Sequence, residues 1–335
     1  MEFYVIDDNK GPSSEIADKF YDVSEYKDFV DACDYVTYEF EHISSDILHY
    51  ADNQGKLRPS LKAVELKKDR SLEKKFLHEH NFPIAYYEYA DTYKEAFNKA
   101  KSFHKAVIKS CKGGYDGKNQ YYINEDTKYE NHRDMPYVIE EFIEYDYEAS
   151  IIAVRDINGK FYNFEPSFNY NKNGILIYNI SPIKNTLEMI DIAKRLMESL
   201  DYIGVMGIEY YVKNGNVIIN EYAPRVHNTG HHTLTGSSIS QFEEHIMAVS
   251  GMDAVRPDLF VPSGIVNIIG TGIDKKIHRI MELGNTNIYW YHKNEVRRKR
   301  KMGHVNVYGN TYNEVKEKIN NILEILYGDK LEDFI

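Results

Sequence analysis

The sequence is poor in cysteine. Cys33 and Cys111 are the only two in 335 residues, too few for a disulfide framework, and neither stands in the CxxC spacing of a zinc site. It also lacks a long apolar run: no stretch approaches the roughly 18 apolar residues of a membrane-spanning helix. Glu2, Asp7 and Asp8 stand where a secretory leader would carry positive charge and an apolar core. The expected setting is therefore the reducing cytoplasm, with no membrane partner. Basic charge is in deficit, since 41 Lys and Arg against 52 Asp and Glu leave a formal charge of −11. Polyanions are repelled overall, nucleic acid is not an expected partner, and any phosphate site has to be local. Repeats and low-complexity segments are absent. What is abundant is tyrosine, with 29 residues, whose half-polar rings supply core where aliphatic residues are sparse. The length suits about two or three domains.

The opening EFYVIDDN reads as a short buried strand, Phe3 to Ile6, and DYVTYEFEH at 34–42 repeats the pattern after an amphipathic stretch at 24–33. Strand, helix, strand predicts a parallel layer with ligand groups at strand carboxyl ends. Met1 directly precedes a strand that would normally follow a βα unit, so this layer is expected to be a fragment. Apolar spacing predicts one helix from Ser60 to His80, ended by Asn81 and Pro83. Strand AVIKS, the loop CKGGYDGKN, strand QYYI and a strand at 137–143 form a small β-rich lobe. Hairpins are predicted at Asn158-Gly159 and Asn214-Gly215, separated by a helix at 186–200. Ser238 and Gln241 read as a capping box for a helix reaching Ser250. Short strands near 265–269, 287–291 and 304–308 precede a closing helix from Tyr312.

The hairpin 205–222 carries the strongest chemical signal. A two-residue turn at Asn214-Gly215 places Glu209 across from Asn220; a three-residue turn places it across from Glu221. In either register two carboxylates and a carboxamide face one another, an arrangement that repels itself unless a cation intervenes and that suits magnesium completed by phosphate oxygens. An exposed hairpin face is the plain alternative. The loop KGGYDGKNQ brings backbone N–H groups where phosphates could approach. It is not a Walker loop, because three residues separate Gly113 from Gly117, Asn119 follows Lys118, and a strand comes next. Lys109, inside an apolar strand, needs a negative partner, which a nucleotide phosphate could provide. The run Arg297 to Lys301 reads either as a solvated face or, with Lys293, as a pocket for one phosphate. His227, His231 and His232 lack the spacing and the cysteine partner of a zinc site. Glu39 and Glu41, near a strand end, could hold an amino-bearing ligand or stand as ordinary exposed acids.

Taken together, GGYDGK at 113–118, NEYAPRVHNTGHHT at 220–233, SSISQFEEHIMAVSGM at 237–252 and RKMGHVNV at 300–307 closely resemble the N5-carboxyaminoimidazole ribonucleotide synthetases, ATP-grasp ligases of purine biosynthesis. The resemblance runs in order along essentially the whole chain. It implies an α/β (α+β) fold, an ATP-grasp fold with a truncated Rossmann-like amino-terminal domain and a small carboxy-terminal β-rich domain. The segments expected are 1–80 (truncated domain and connector helix), 81–143 (small lobe with the glycine loop), 144–257 (large lobe with the metal site) and 258–335. It implies an ATP-dependent ligase in which ATP and bicarbonate give carboxyphosphate, whose carboxyl group passes to the exocyclic amine of 5-aminoimidazole ribonucleotide. Magnesium, with manganese as a substitute, is the implied cofactor, and a homodimer the implied assembly. Other ATP-grasp ligases, or a nucleotide-binding homologue without turnover, are the competing readings.

Carried over by residue, the resemblance makes Arg70, Lys109, Gly113, Gly114 and Asn220 nucleotide contacts, Glu140 an adenine-hinge residue and Glu148 a ribose acceptor. Glu209 and Glu221 match the metal ligands. Glu39 or Glu41, Tyr115, Lys118, Lys293 and Arg300 match positions that hold the ribonucleotide, and Arg225, His227 and Lys118 positions that handle bicarbonate and carboxyphosphate. Departures are Asn119 in place of a usual glycine, Arg298-Lys299 in place of a usual Pro-Gly, and the beginning. Family members have a strand and a GGGQLGRM-like loop about twenty residues before the position matched by Met1, and a chain extended upstream is expected to be more stable, because a parallel strand is buried on both faces.

Overall fold

The computed structural model describes residues 1–113 and 119–335; Gly114, Tyr115 and Lys118 lie outside the described residues. The described residues form three sheets. The amino-terminal one is a parallel pair, β1 (Tyr4–Asp7) with β2 (Lys19–Asp22). This corrects the expected pairing of Phe3–Ile6 with 34–42. That segment is extended and alternates buried Val36 and Tyr38 with exposed Thr37, yet it makes only a single parallel bridge, Val36 to Leu57. Val36 donates to the Lys56 carbonyl and accepts from the Arg58 N–H, both at 2.8 Å. Alternation reports a half-buried extended chain; it does not say which neighbour satisfies the backbone.

The expected helix 60–80 is two. Leu61–Lys67 stops at Lys68, and Asp69 caps a second helix, Arg70–Glu79, its side chain accepting from the Ser71 N–H at 3.0 Å. An internal N-cap of this kind restarts the chain in a new direction. The second sheet is antiparallel, in the order β3 (Tyr87–Ala90), β6 (Tyr137–Glu141), β4 (Ala106–Ser110), β5 (Gln120–Ile123). It packs on helix Tyr93–Ala100 through Tyr93, Ala96 and Phe97.

The third sheet has nine strands. It contains β7 (Tyr147–Arg155), β8 (Phe161–Asn163), β9 (Ser167–Lys172), β10 (Ile175–Ser181), β11 (Gly204–Lys213), β12 (Asn216–Ala223), β13 (Ser263–Ile269), β14 (Thr286–Trp290) and β15 (Lys301–Tyr308). The order is β12-β11-β7-β9-β10-β13-β15-β14, with β8 on β7. The carboxy-terminal strands thus continue this sheet while burying a cluster of their own beneath helix Tyr312–Tyr327. The hairpin joining β9 to β10 turns at Asn173-Gly174, both at positive φ, and was not among those expected. In the middle of the sheet both faces are covered. Ile151 and Ile208 meet helix Leu187–Ser199, while Ile152 and Val205 meet helix Gln241–Val249. The capping box of the latter is Ser240 with Glu243, not Ser238 with Gln241; Ser238 accepts from the Asp258 N–H instead. Among the described residues no helix is long and apolar enough to cross a membrane.

The two positions where the resemblance implies glycine both fall on left-handed backbone: Asn119 has φ 55° and Lys299 φ 65°. Asparagine adopts this region at small cost; lysine does so with strain. At Lys299 the strain is held by the carboxy-terminus, since Lys299 N–H donates to the Phe334 carbonyl at 2.8 Å and the Arg298 guanidinium donates to Ile335 O at 2.7 and 3.0 Å.

Candidate active site

Asn214 and Gly215 both have positive φ, which makes the β11–β12 connection the two-residue turn expected. Lys213 faces Asn216 and Tyr210 faces Ile219, but the register then shifts and Glu209 faces Glu221. Asn220 is the extra residue of a β-bulge. Neither simple register was complete: the turn is the two-residue one, and the pairing is that of the three-residue one. Without the bulge Glu221 would point into the core that Tyr222 occupies, because a one-residue slip exchanges faces. With it, Glu209 and Glu221 share the face that also presents Glu148, which lies opposite Tyr211 in the β7–β11 ladder.

Glu209 is half-buried, and desolvation there, followed by the charge of Glu221, pushes its carboxyl up to about 8. Glu221 is held down, first by the Lys67 ammonium 3.3 Å away. Lys67 also donates to both Glu73 oxygens, at 3.0 and 3.2 Å. Burial works against its charge, but Glu73 and Glu221 hold its pKa above the ordinary value. The donor set is all oxygen and, among the described residues, no group of three or more potential ligands converges. Two facing carboxylates, an all-oxygen donor pair, fit magnesium that draws its remaining ligands from phosphate and water.

A second charged cluster joins β4, β6 and helix Arg70–Glu79. Glu140, on β6, receives Lys109 of β4 at 3.0 Å and Lys74 of helix Arg70–Glu79 at 3.1 Å, and all three are buried. Burial opposes the Glu140 charge, but Lys109 and then Lys74 overcome it and bring the carboxyl to about 2. Burial also lowers Lys109, against the pull of Glu140. The negative partner that Lys109 requires is therefore present as Glu140. Arg70 donates to the Ser110 carbonyl at 2.7 Å, which sets it beside Lys109 at the end of β4. Glu148 receives the Tyr145 hydroxyl at 2.5 Å and the Asn171 amide.

Arg225 and Glu41 are brought together, Nε to Oε1 at 2.9 Å; Glu39 is exposed. His227 Nε2 stands 3.6 Å from Glu209 Oε1, and its Nδ1 is 2.8 Å from the Thr229 hydroxyl. Burial, and then Arg225, hold this imidazole neutral, down to about 3. It seats over Gly207, where a Cβ would lie 2.5 Å from the His227 Cβ. Three fully buried carboxamides fix the backbone of the loop that carries it. Gln241 accepts from the His227 N–H at 2.9 Å and donates to its carbonyl at 2.7 Å; Asn179 donates to the Thr229 carbonyl at 2.6 Å and Asn306 to that of His231 at 2.7 Å. Asn179 and Asn306, with Lys67, Glu73 and Lys74, were not singled out from sequence, and Gln241 was read only as part of a capping box. Lys293 donates to the Lys301 carbonyl at 2.8 Å and Arg300 to that of Glu295 at 3.0 Å, so the loop 291–301 folds on itself and keeps both cations on it. In the run 297–300 only Arg300 is half-buried.

His245 ties the amino-terminal segment to this sheet. Its Nδ1 accepts from the Val205 N–H at 3.1 Å, so Nε2 carries the hydrogen and donates to Thr37 Oγ1 at 2.8 Å. Burial lowers His245 and His232 to about 4. Below the unfolded value of about 6.5 the unfolded chain binds the proton first, so this stability is present above pH 6.5 and lost as pH falls toward 4. At pH 5 each group has lost about 2 kcal/mol. Buried Glu244, raised to about 7 chiefly by burial, acts in the opposite sense. The readout is therefore the difference between proteins. His245→Asn, which keeps an acceptor for Val205, is expected to lose less melting temperature between pH 7 and pH 5 than the parent; equal losses would show that His245 is not the titrating group.

A two-lobed arrangement of antiparallel sheets, with lysines on one lobe and a carboxylate hairpin on the other, defines an ATP-grasp enzyme. The ATP-grasp domain family matches residues 75–242, and the phosphoribosylaminoimidazole carboxylase C-terminal domain family matches 263–318. The N5-carboxyaminoimidazole ribonucleotide synthase of Saccharolobus solfataricus is 47% identical over 98% of this chain and 91% of its own. The crystal structure of the phosphoribosylaminoimidazole carboxylase ATPase subunit from Aquifex aeolicus is 38% identical, covers 97% of this chain and 92% of its own, and superposes with a TM-score of 0.85. That of the N5-carboxyaminoimidazole synthetase from Staphylococcus aureus complexed with ADP is 26% identical, covers 96% and 91%, and gives 0.88. The chain belongs to the N5-carboxyaminoimidazole ribonucleotide synthase family of ATP-dependent ligases.

Proposed function

We propose that the protein uses ATP and bicarbonate to carboxylate the exocyclic amine of 5-aminoimidazole ribonucleotide, yielding N5-carboxyaminoimidazole ribonucleotide, ADP and phosphate for purine biosynthesis. The facing pair Glu209 and Glu221, set by the bulge at Asn220 and opposed by Lys67, Arg70 and Lys109, is the observation that carries it. A bicarbonate oxygen attacks the γ-phosphorus as ADP leaves; the amine then attacks the carboxyl carbon of carboxyphosphate as phosphate leaves. Magnesium, when held by Glu209 and Glu221, neutralises charge on the transferring phosphoryl group.

Arg70 and Lys109 hold the nucleotide phosphates, with Gly113 and Gly114 supplying backbone N–H groups, while Lys74 stays with Glu140. Glu148 accepts from the ribose. The Glu140 side chain is committed to the two lysines, which leaves adenine to the main chain beyond β6. Arg225, oriented by Glu41, and neutral His227 handle bicarbonate and carboxyphosphate together with Lys118, and Tyr115 and Lys118 are assigned to hold the ribonucleotide. Lys293 and Arg300 take the ribonucleotide phosphate. The four segments 1–80, 81–143, 144–257 and 258–335 remain the domain division proposed, and a homodimer the assembly.

The test is phosphate release assayed with bicarbonate and a panel of amine acceptors. Release is expected to need bicarbonate and 5-aminoimidazole ribonucleotide together; release stimulated by a different acceptor overturns the assignment. Arg300→Ala is expected to raise the KM for the ribonucleotide at least tenfold, about 1.4 kcal/mol, with the KM for ATP little changed, because a planar guanidinium fork is lost from one phosphate. Arg298→Ala removes hydrogen bonds to Glu332 and Ile335 and is expected to lower the melting temperature with far less effect on either KM. Equal KM effects from both would make the run general electrostatics.

A further inference from the structure

Lys67 closes the helix Leu61–Lys67 and is mostly buried, its ammonium 5.4 Å from the centroid of the Tyr222 ring. The break at Lys68 and Asp69 turns the chain so that Glu73, six residues on, comes back within 3.0 Å. Glu73 is itself 3% exposed and sits on a separate helix, so it holds the ammonium in place independently of the hairpin. The remaining contact is to Glu221 Oε2 at 3.3 Å. Lys67 thus bridges a structural carboxylate and one of the two carboxylates read above as metal ligands.

We propose that Lys67 is a resident counter-ion of the metal site. It lowers the affinity of the Glu209 and Glu221 pair for a divalent cation in the nucleotide-free protein and makes metal uptake depend on nucleotide. The inference rests on the reading of Glu209 and Glu221 as metal ligands. An ammonium within hydrogen-bond reach of Glu221 satisfies that carboxylate and repels a divalent ion beside it, water screening part of the repulsion because the Glu221 side chain is 45% exposed. Nucleotide phosphates reverse the balance, because they bring negative charge to Lys67, Arg70 and Lys109 together and offer the oxygen ligands that two carboxylates lack. Lysine suits the task as a compact point charge on a flexible stem, able to keep Glu73 while releasing Glu221.

The experiment titrates the whole protein with Mn2+ and follows free Mn2+ by electron paramagnetic resonance, without nucleotide and with ADP. Glu221→Gln corrects for metal held by ADP alone. Lys67→Met keeps the stem on Tyr222 and removes the charge. Lys67→Met/Glu73→Gln also removes the carboxylate that would otherwise be stranded. In the parent, ADP is expected to tighten Mn2+ binding at least tenfold. In both variants nucleotide-free Mn2+ is expected to bind at least tenfold tighter than in the parent, so the gain from ADP shrinks. Nucleotide-free affinity that is unchanged or weaker in both variants overturns the inference while leaving the metal site standing, provided the parent responds to ADP. A parent that takes up no Mn2+ beyond the Glu221→Gln protein, with or without ADP, overturns the metal reading and this inference with it. A merely structural lysine would lower the melting temperature and leave metal affinity where it was.

Discussion

Glu221→Gln is expected to reduce kcat by at least a hundredfold while the protein keeps its fold. The substitution preserves volume and removes one negative charge from the face shared with Glu209. Losing a preorganised charge at a phosphoryl-transfer site costs about 3 kcal/mol or more of transition-state stabilisation. The fold survives because Glu221 lies on the half-buried side of β12 and its bulged register is held by neighbours on both sides, Tyr222 in the core and Ile219, which donates to the Pro83 carbonyl at 2.7 Å. Glu209→Gln is expected to behave alike. Steady-state kinetics with circular dichroism decide the point, and near-normal turnover in either variant would reduce the hairpin carboxylates to a surface feature.

Glu140→Gln is expected to have the largest effect on stability. Lys74 and Lys109 are 2% and 9% exposed, and both lean on this one carboxylate. Removing the anion strands two ammonium groups away from water, a change that costs about 3–5 kcal/mol for a buried pair. The variant is expected to melt well below the parent, and saturating ADP is expected to restore part of the difference, because phosphate replaces the lost charge. An unchanged melting temperature would mean that the lysines reach water by another route. The pair also explains how Lys109 tolerates an apolar strand: Glu140 supports it, and a nucleotide phosphate can be recruited without rebuilding the lobe.

The hairpin 205–222 was legible because asparagine and glycine, both able to take positive φ, are flanked by β-branched and aromatic residues. The bulge at Asn220 was not, since nothing local distinguishes a continuous ladder from one with an extra residue. The consequence, two glutamates facing one another, was nevertheless within the alternatives the spacing allowed. Lys67, Glu73 and Lys74 were hidden for a different reason. On a helix read as one continuous connector they look like a solvated charged face, and only the restart at Asp69 turns that face inward. The parallel partner of β1 escaped because KFYD is four residues long with charged ends, whereas 34–42 shows the alternation of a strand and satisfies its backbone elsewhere. Ser238-x-x-Gln241 and Ser240-x-x-Glu243 both satisfy a capping pattern. Tertiary contact decides between them, because the Gln241 carboxamide is taken by the backbone of His227. The carboxy-terminal strands were found, but their place as a continuation of the large sheet depends on the β10–β13 pairing, a contact across more than eighty residues that no local pattern announces.

In the proposed reaction bicarbonate, not water, takes the γ-phosphoryl group of ATP. A single-turnover reaction with 18O-labelled bicarbonate, ATP and 5-aminoimidazole ribonucleotide, quenched before the label exchanges with water, tests it directly. The account predicts that the phosphate released carries one oxygen from bicarbonate, because carboxyphosphate forms through that oxygen and breaks at its carbon–oxygen bond when the amine attacks. Phosphate carrying no label from bicarbonate, released at the rate of product formation, would contradict it.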